Sequence, residues 1–176
     1  MDTELHFLIS NNQGFLTPQR SMRRDQPQTL FCFSQINVNL LGALNVAQMV
    51  AQNMVRSKSK GSIVNISSQA SQAALHNHTA YSTTKGGMDQ FTRNMALELG
   101  PHGIRTNAVN PTVVMTDMSR ARWSAPEVGG PMLAKIPLGR FAEVQDVVDT
   151  IMYLLSDKSM MINGICVPVD GGFLAT

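Results

Sequence analysis

The stretch from Ser62 to Asn110 constrains the fold most, because it reads as strand, helix, strand. Ser62 to Ile66 is a near-continuous apolar run with Asn65 inside it, the pattern of a strand covered on both faces of a parallel sheet. From Tyr81 onward, Met88, Phe91, Met95 and Leu99 keep the three- and four-residue spacing of a helix, which stops at Gly100-Pro101. Ile104 to Asn110 is the next strand, ended by Pro111. The pattern then recurs. Val144 to Leu155, carrying Val147, Val148, Ile151, Leu154 and Leu155, is an amphipathic helix, and Asn163-Gly164 turns the chain into a last strand, Ile165 to Val169. Alternation at these lengths predicts an α/β fold built on an open parallel sheet with right-handed crossovers.

The flanking segments are less regular. Leu5 to Ile9 is a short apolar run followed by Asn11-Asn12-Gln13-Gly14, readable as a strand and turn or as an unrelated leader. Thr17 to Gln28 has two prolines and the cluster Arg20, Arg23, Arg24 with little apolar content, and reads as loop or disorder. Residues 1–35 are therefore expected to be an atypical leader, partly disordered, ahead of a single domain at 36–176. Between Ile36 and Val55, Leu40, Leu44, Ala47, Ala51 and Val55 form a helical stripe. Leu41, Val46, Met49, Val50 and Met54 widen it, which predicts burial on two sides. Residues 112–135 have no clear period and contain Gly129-Gly130-Pro131, as expected of a mobile excursion with short helices that suits a lid.

A chain of 176 residues with 43% apolar content fits one globular domain. The net charge of +2 and one thin arginine cluster argue against nucleic-acid binding. Cys32 and Cys166 lie far apart without paired spacing, so free thiols in a reducing compartment, the cytoplasm, are expected. Asp2 and Glu4 precede the first apolar run, unlike a signal peptide, and no run approaches a membrane span.

Chemistry concentrates between Asn65 and Lys85. Tyr81 and Lys85 are one helical turn apart, so a helix sets both on one face. A phenol ordinarily titrates near ~10, and a fixed ammonium nearby favours its ionised form, bringing it toward a range useful for proton exchange with a substrate oxygen. Ser68, just past the strand end, is placed to donate a hydrogen bond to that oxygen. His76 and His78 have neither a carboxylate nor a third histidine close by, so no metal site is expected.

The spacing of Ser68, Tyr81 and Lys85, the Asn37-Val38-Asn39 triplet, the run Arg105-Thr106-Asn107-Ala108-Val109-Asn110-Pro111 and the closing Val169-Asp170-Gly171-Gly172 together resemble the short-chain dehydrogenase/reductase family from about Ile36 to Thr176. The resemblance implies a partial Rossmann-like, doubly wound sheet, the catalytic half of the family's domain. It implies hydride transfer between NADP(H) and a small carbonyl compound, with Tyr81 as general acid and Ser68 holding the carbonyl oxygen. Lys85 would lower the Tyr81 pKa and bond the nicotinamide ribose, and Asn39 would be the fourth member. Tyr81, Lys85, Pro111, Thr112, Val114 and Thr116 match cofactor-binding positions; Ser68, Leu75, His78 and Trp123 match substrate-binding positions. Thr112, where most of the family has Gly, and His78 favour the branch that reduces L-xylulose and α-dicarbonyls. Family members also suggest a homo-oligomer, a homotetramer, formed through the helices at 36–55 and 81–99.

One family feature is missing from this sequence. No Gly-x-x-x-Gly-x-Gly or Gly-x-Gly-x-x-Gly occurs, so the backbone cradle for a pyrophosphate at a helix N-terminus is absent, as is the basic residue that would hold an NADP 2′-phosphate. Two other readings stay open: a non-catalytic chain that associates with full-length subunits, and a reductase of another substrate class.

Overall fold

The computed structural model describes residues 5–10 and 29–176. Four strands lie side by side in the order β1 (Leu5–Ile9), β2 (Gly61–Ile66), β3 (Ile104–Pro111), β4 (Cys166–Val169), and every neighbouring pair is parallel. Parallel neighbours need long crossovers, and helices supply them. The chain passes from β1 toward β2 through α1 (Thr29–Gln35), a π-helical segment (Ile36–Leu41) and α2 (Gly42–Ser57). Between β2 and β3 runs α3 (Thr79–Leu99), and between β3 and β4 run α4 (Asp117–Trp123), α5 (Pro126–Leu133) and α6 (Val144–Leu155).

Side chains alternate across each strand, so one sheet feeds two cores. Ile9, Ile63 and Ile104 point toward α2 and α3, where they meet Ala43, Ala47, Met54, Met88 and Met95. Val64 and Val109 point the other way and meet Val147, Ile151 and Leu154 of α6. Helices therefore cover both faces. A third apolar cluster, around Ile136, Phe141 and Phe173, includes residues that follow β3 and β4.

Strand Leu5–Ile9 lies within the expected leader, yet it takes an edge position in the sheet, with Phe7 opposite Ile63. Gly61, the first residue of β2, makes this approach possible: a Cβ there would fall 1.8 Å from the Leu5 carbonyl oxygen. The expected turn at Asn11–Gly14 and loop at Thr17–Gln28 lie outside the described residues.

The helix expected from Ile36 runs continuously from Thr29 through Ser57 and holds the π segment. Its inner face follows the expected one only in part. Ala43, Ala47, Ala51 and Met54 are buried, whereas Leu41, Val46 and Met49 are 44%, 46% and 66% exposed. Small residues win the inner face because they let the helix axis lie close to the sheet. The lid-like stretch holds two short helices, α4 and α5. Both cysteines are free thiols, and among the described residues no helix is long and apolar enough to cross a membrane.

Substituting Gly61→Ala should displace β1, because the new methyl overlaps the Leu5 carbonyl. A loss of about 1–3 kcal/mol of stability is expected in urea unfolding, with faster amide exchange along Leu5–Ile9; unchanged exchange there would mean that β1 does not depend on the close approach.

Candidate active site

β2, β3 and β4 end along the same edge of the sheet, and the residues that leave them converge there. Ser67 and Ser68 follow β2, Thr112 follows β3, and Asp170, Gly171 and Gly172 follow β4. The first turns of α3 dock onto the end of β2. Ser67 Oγ donates to the Lys85 carbonyl at 3.2 Å, and Lys85 Nζ donates to the Ile66 carbonyl at 2.8 Å.

Ser68 is extended and caps the helical turn Gln69–Ser71, its Oγ accepting from the Ala70 amide at 3.2 Å. The Ser68 hydroxyl also bonds the Tyr81 phenol. Lys85 is wholly buried on the same face of α3, with Nζ 5.8 Å from the centre of the Tyr81 ring. The structure thus brings Ser68, Tyr81 and Lys85 together in one place. Asn39 is buried in the π segment, which packs against α3, and its amide donates to Gln35 Oε1 at 2.8 Å. π insertions of this kind recur at functional sites because they re-aim one residue without ending the helix.

The electrostatics differ from expectation in one respect. Burial pushes the Tyr81 phenol above its ordinary value, and the Ser68 hydrogen bond only partly offsets this. Lys85 is desolvated as well: it is pulled down to about 8 by burial, with the Asp89 charge acting the other way. Tyr81 is thereby kept in the protonated form that a general acid requires.

Around this centre the remaining predicted residues fall into two groups. Pro111 ends β3 opposite Val169, the Thr112 amide donates to the Val169 carbonyl at 3.1 Å, Val114 bridges to Ala142, and Thr116 caps α4 through the Ser119 amide. They form one continuous wall leading away from β3. Leu75 and Trp123 join the third apolar cluster, where Trp123 meets Phe141 edge-on at 5.8 Å. His78 stands edge-on to Tyr81 at 6.2 Å, and its Nδ1 lies 2.6 Å from the His76 carbonyl oxygen. Its pKa is lowered, first by burial, with Arg122 adding to the effect and the His76 carbonyl opposing it.

The site fits the nicotinamide end of a dinucleotide. Tyr81 and Lys85 offer a hydroxyl and an ammonium, and Thr112 Oγ1 is buried with no hydrogen-bond partner among the described residues. Arg20, Arg23 and Arg24 lie outside the described residues.

Sequence reasoning overlooked Asp89, which is 3% exposed and accepts from Ser71 Oγ at 2.6 Å and from Asn110 Nδ2 at 3.0 and 3.1 Å. The signal was present as a repeat of four along α3, Tyr81, Lys85, Asp89.

A family model described as "Enoyl-(Acyl carrier protein) reductase" matches residues 4–174. The chain is 59% identical over 145 residues to the L-xylulose reductase of Mus musculus, a match covering 82% of this chain and 59% of that protein. It is 48% identical over 140 residues to "Carbonyl reductase [NADPH] 2" of Sus scrofa, covering 80% and 57% respectively. The chain thus spans less than two thirds of the length of these relatives. Among solved structures, an NAD+-bound xylitol dehydrogenase superposes with a TM-score of 0.83 at 27% identity, covering 96% of this chain and 69% of that one.

The Lys85 pKa predicts a pH dependence of stability. A folded value of about 8 against 10.5 for the free side chain means that the unfolded chain binds more protons between those limits, so this group makes stability rise with pH across that window. Cys166, raised from 9.0 to about 11, acts in the opposite sense above pH 9. The difference between wild type and Lys85→Met isolates the lysine. In chemical denaturation at a series of pH values, wild-type stability relative to the variant should climb from about pH 8 to 10.5; a flat difference would contradict the buried ammonium.

Proposed function

Because the chain belongs to the short-chain dehydrogenase/reductase family, we propose that it carries the catalytic half of an NADPH-dependent reductase acting on small carbonyl compounds of the L-xylulose and α-dicarbonyl type. The observation that carries this reading is the shared position of the Ser68 hydroxyl, the Tyr81 phenol and the buried Lys85 ammonium at the carboxyl edge of a parallel sheet. A bound nicotinamide supplies the hydride. Ser68 holds the carbonyl oxygen, and Tyr81 delivers its proton to that oxygen as negative charge develops there. Lys85 stabilises the phenolate left behind and holds the cofactor ribose. Asn39 is the fourth member, in a π segment packed against α3. Pro111, Thr112, Val114 and Thr116 line the cofactor's nicotinamide end. Leu75, His78 and Trp123 shape the substrate side. The L-xylulose reductase and NADPH-dependent carbonyl reductase to which the chain is similar support the substrate class and NADPH.

The sequence holds no glycine-rich phosphate cradle, so cofactor affinity in this 176-residue chain is expected to be weak. Titration calorimetry with NADPH should give a dissociation constant well above micromolar; micromolar or tighter binding would contradict the assignment of the cradle's role. With saturating NADPH and diacetyl as substrate, Tyr81→Phe should lower turnover by a factor of about 100 or more, and equal rates in the two proteins would remove Tyr81 as the acid.

A second reading is favoured by one observation. An apolar groove of about 650 Å³ runs between α2 and α3, lined by Leu44, Ala51, Val55, Phe91, Met95 and Leu99 among others. These are the two helices expected to meet a second subunit, so the chain also suits association, either with a second copy as a homo-oligomer or with full-length relatives as a non-catalytic partner. Co-expression with a full-length L-xylulose reductase and size exclusion should give co-elution that Phe91→Glu abolishes; separate elution of the wild-type chains would exclude this association.

A further inference from the structure

Asp89 lies one turn beyond Lys85 on the face of α3 that carries Tyr81, and a carboxylate buried there requires donors. Its donors come from two other elements: Ser71 in the turn after β2 and Asn110 near the end of β3. Both also hold the backbone of Ser68. The Asn110 side-chain amide donates to the Ser68 carbonyl at 3.1 Å, and the Ser71 backbone amide donates to the same oxygen at 3.0 Å. Asn110 Nδ2 and Ser71 Oγ are themselves 2.8 Å apart. Asp89, Ser71, Asn110 and the Ser68 carbonyl therefore close a ring of hydrogen bonds that joins helix, turn and strand. Bonds to a charged acceptor are about twice as strong as neutral ones, so the carboxylate is the strongest link in the ring. What the ring immobilises is the turn in which the Ala70 amide orients the Ser68 hydroxyl.

We propose that Asp89 is a positioning residue of the reductase site: through Ser71 and Asn110 it ties the Ser68 turn to α3 and β3, and it sets a negative charge one helical turn from the Lys85 ammonium. Its meaning for turnover rests on the reductase reading; the ring and the charge do not. The groups around Lys85 make Asp89 the effective counter-charge. Tyr81 and Asp89 flank it on α3, β2 contributes only the Ile66 carbonyl, and the π segment Ile36–Leu41 has no titratable side chain. From β4, Cys166 Sγ lies 3.9 Å from the Asp89 carbonyl oxygen, and Arg93 acts on that thiol. The Asp89 charge opposes the loss of the lysine proton that burial promotes.

The test uses the 176-residue chain and needs no turnover. Asp89→Asn keeps the size and one acceptor oxygen but removes the charge. With lysine Nζ labelled for NMR, the Lys85 midpoint should fall by roughly one pH unit in this variant, while the rest of the spectrum stays folded; an unmoved midpoint in a folded variant overturns the role of the charge. Ser71→Ala leaves the charge and cuts the ring. Amide exchange at Ala70 and Ser71 should quicken about tenfold with the Lys85 midpoint unchanged, and unaltered exchange overturns the clamp even where Asp89→Asn does not fold. In coupled assays, turnover should drop in both variants with the KM for NADPH unmoved. A wild-type chain with no turnover at any NADPH concentration would refute the reductase reading, whereas the two spectroscopic results still decide the role of Asp89.

Discussion

The burial of a lysine is the constraint on which the site depends. An ammonium taken out of water loses hydration worth several kcal/mol, and only well-placed partners restore it. Lys85 receives the Ile66 carbonyl at 2.8 Å, the face of the Tyr81 ring and the charge of Asp89. All three are available only if α3 lies tight against the sheet. α3 also packs closely on the helix that precedes it: an added Cβ at Gly87 would fall 2.9 Å from Leu40 Cδ2, and Ala43 and Ala47 of α2 are wholly buried. Packing and chemistry are thus one requirement seen from two sides.

The same economy governs the strand interiors. Three strand asparagines, Asn65, Asn107 and Asn110, are wholly buried where apolar residues would be expected. Each bridges elements that would otherwise be held by backbone alone. Asn65 donates to Thr92 of α3, Asn107 donates to the Ile162 carbonyl while accepting from the Ile165 amide, and Asn110 joins the ring around Ser68. A buried amide left unpaired is costly, so these positions tolerate few alternative arrangements of the loops they hold. Asp170 does similar work after β4, its two oxygens accepting from the Gly172 and Leu174 amides and so ordering the C-terminal turn beneath Phe173.

Much of this was legible in the sequence, and the limits are instructive. The helix at Val144–Leu155 and the strand at Ile104 matched their periodicity because one apolar face, or an unbroken apolar run, has a single structural solution. Leu5–Ile9 was ambiguous, since five residues carry too little pattern to distinguish an edge strand from a leader; only its pairing with β2 decides. The inner face of α2 was legible in part: Ala47 and Ala51 lie on the expected stripe, but hydrophobicity alone also favours Leu41 and Met49 and passes over Ala43, while packing distance ranks these the other way. The π segment left no trace in the periodicity. Asp89 was overlooked because a lone carboxylate on a helix is usually a solvated one, and its partners come from residues eighteen and twenty-one positions away in sequence.

The order of local residues was enough to determine an α/β chain of alternating strands and helices, and to put a phenol and an ammonium one helical turn apart, because helical and strand periods and the i, i+4 spacing of Tyr81 and Lys85 are local properties. The tertiary structure alone decided which way the electrostatics run. How deeply Tyr81 and Lys85 are buried, which carbonyl takes the ammonium, and whether a distant Asn110 and Ser71 meet Asp89 are set by how the helix settles on the sheet, and desolvation depends on that packing, not on residue order.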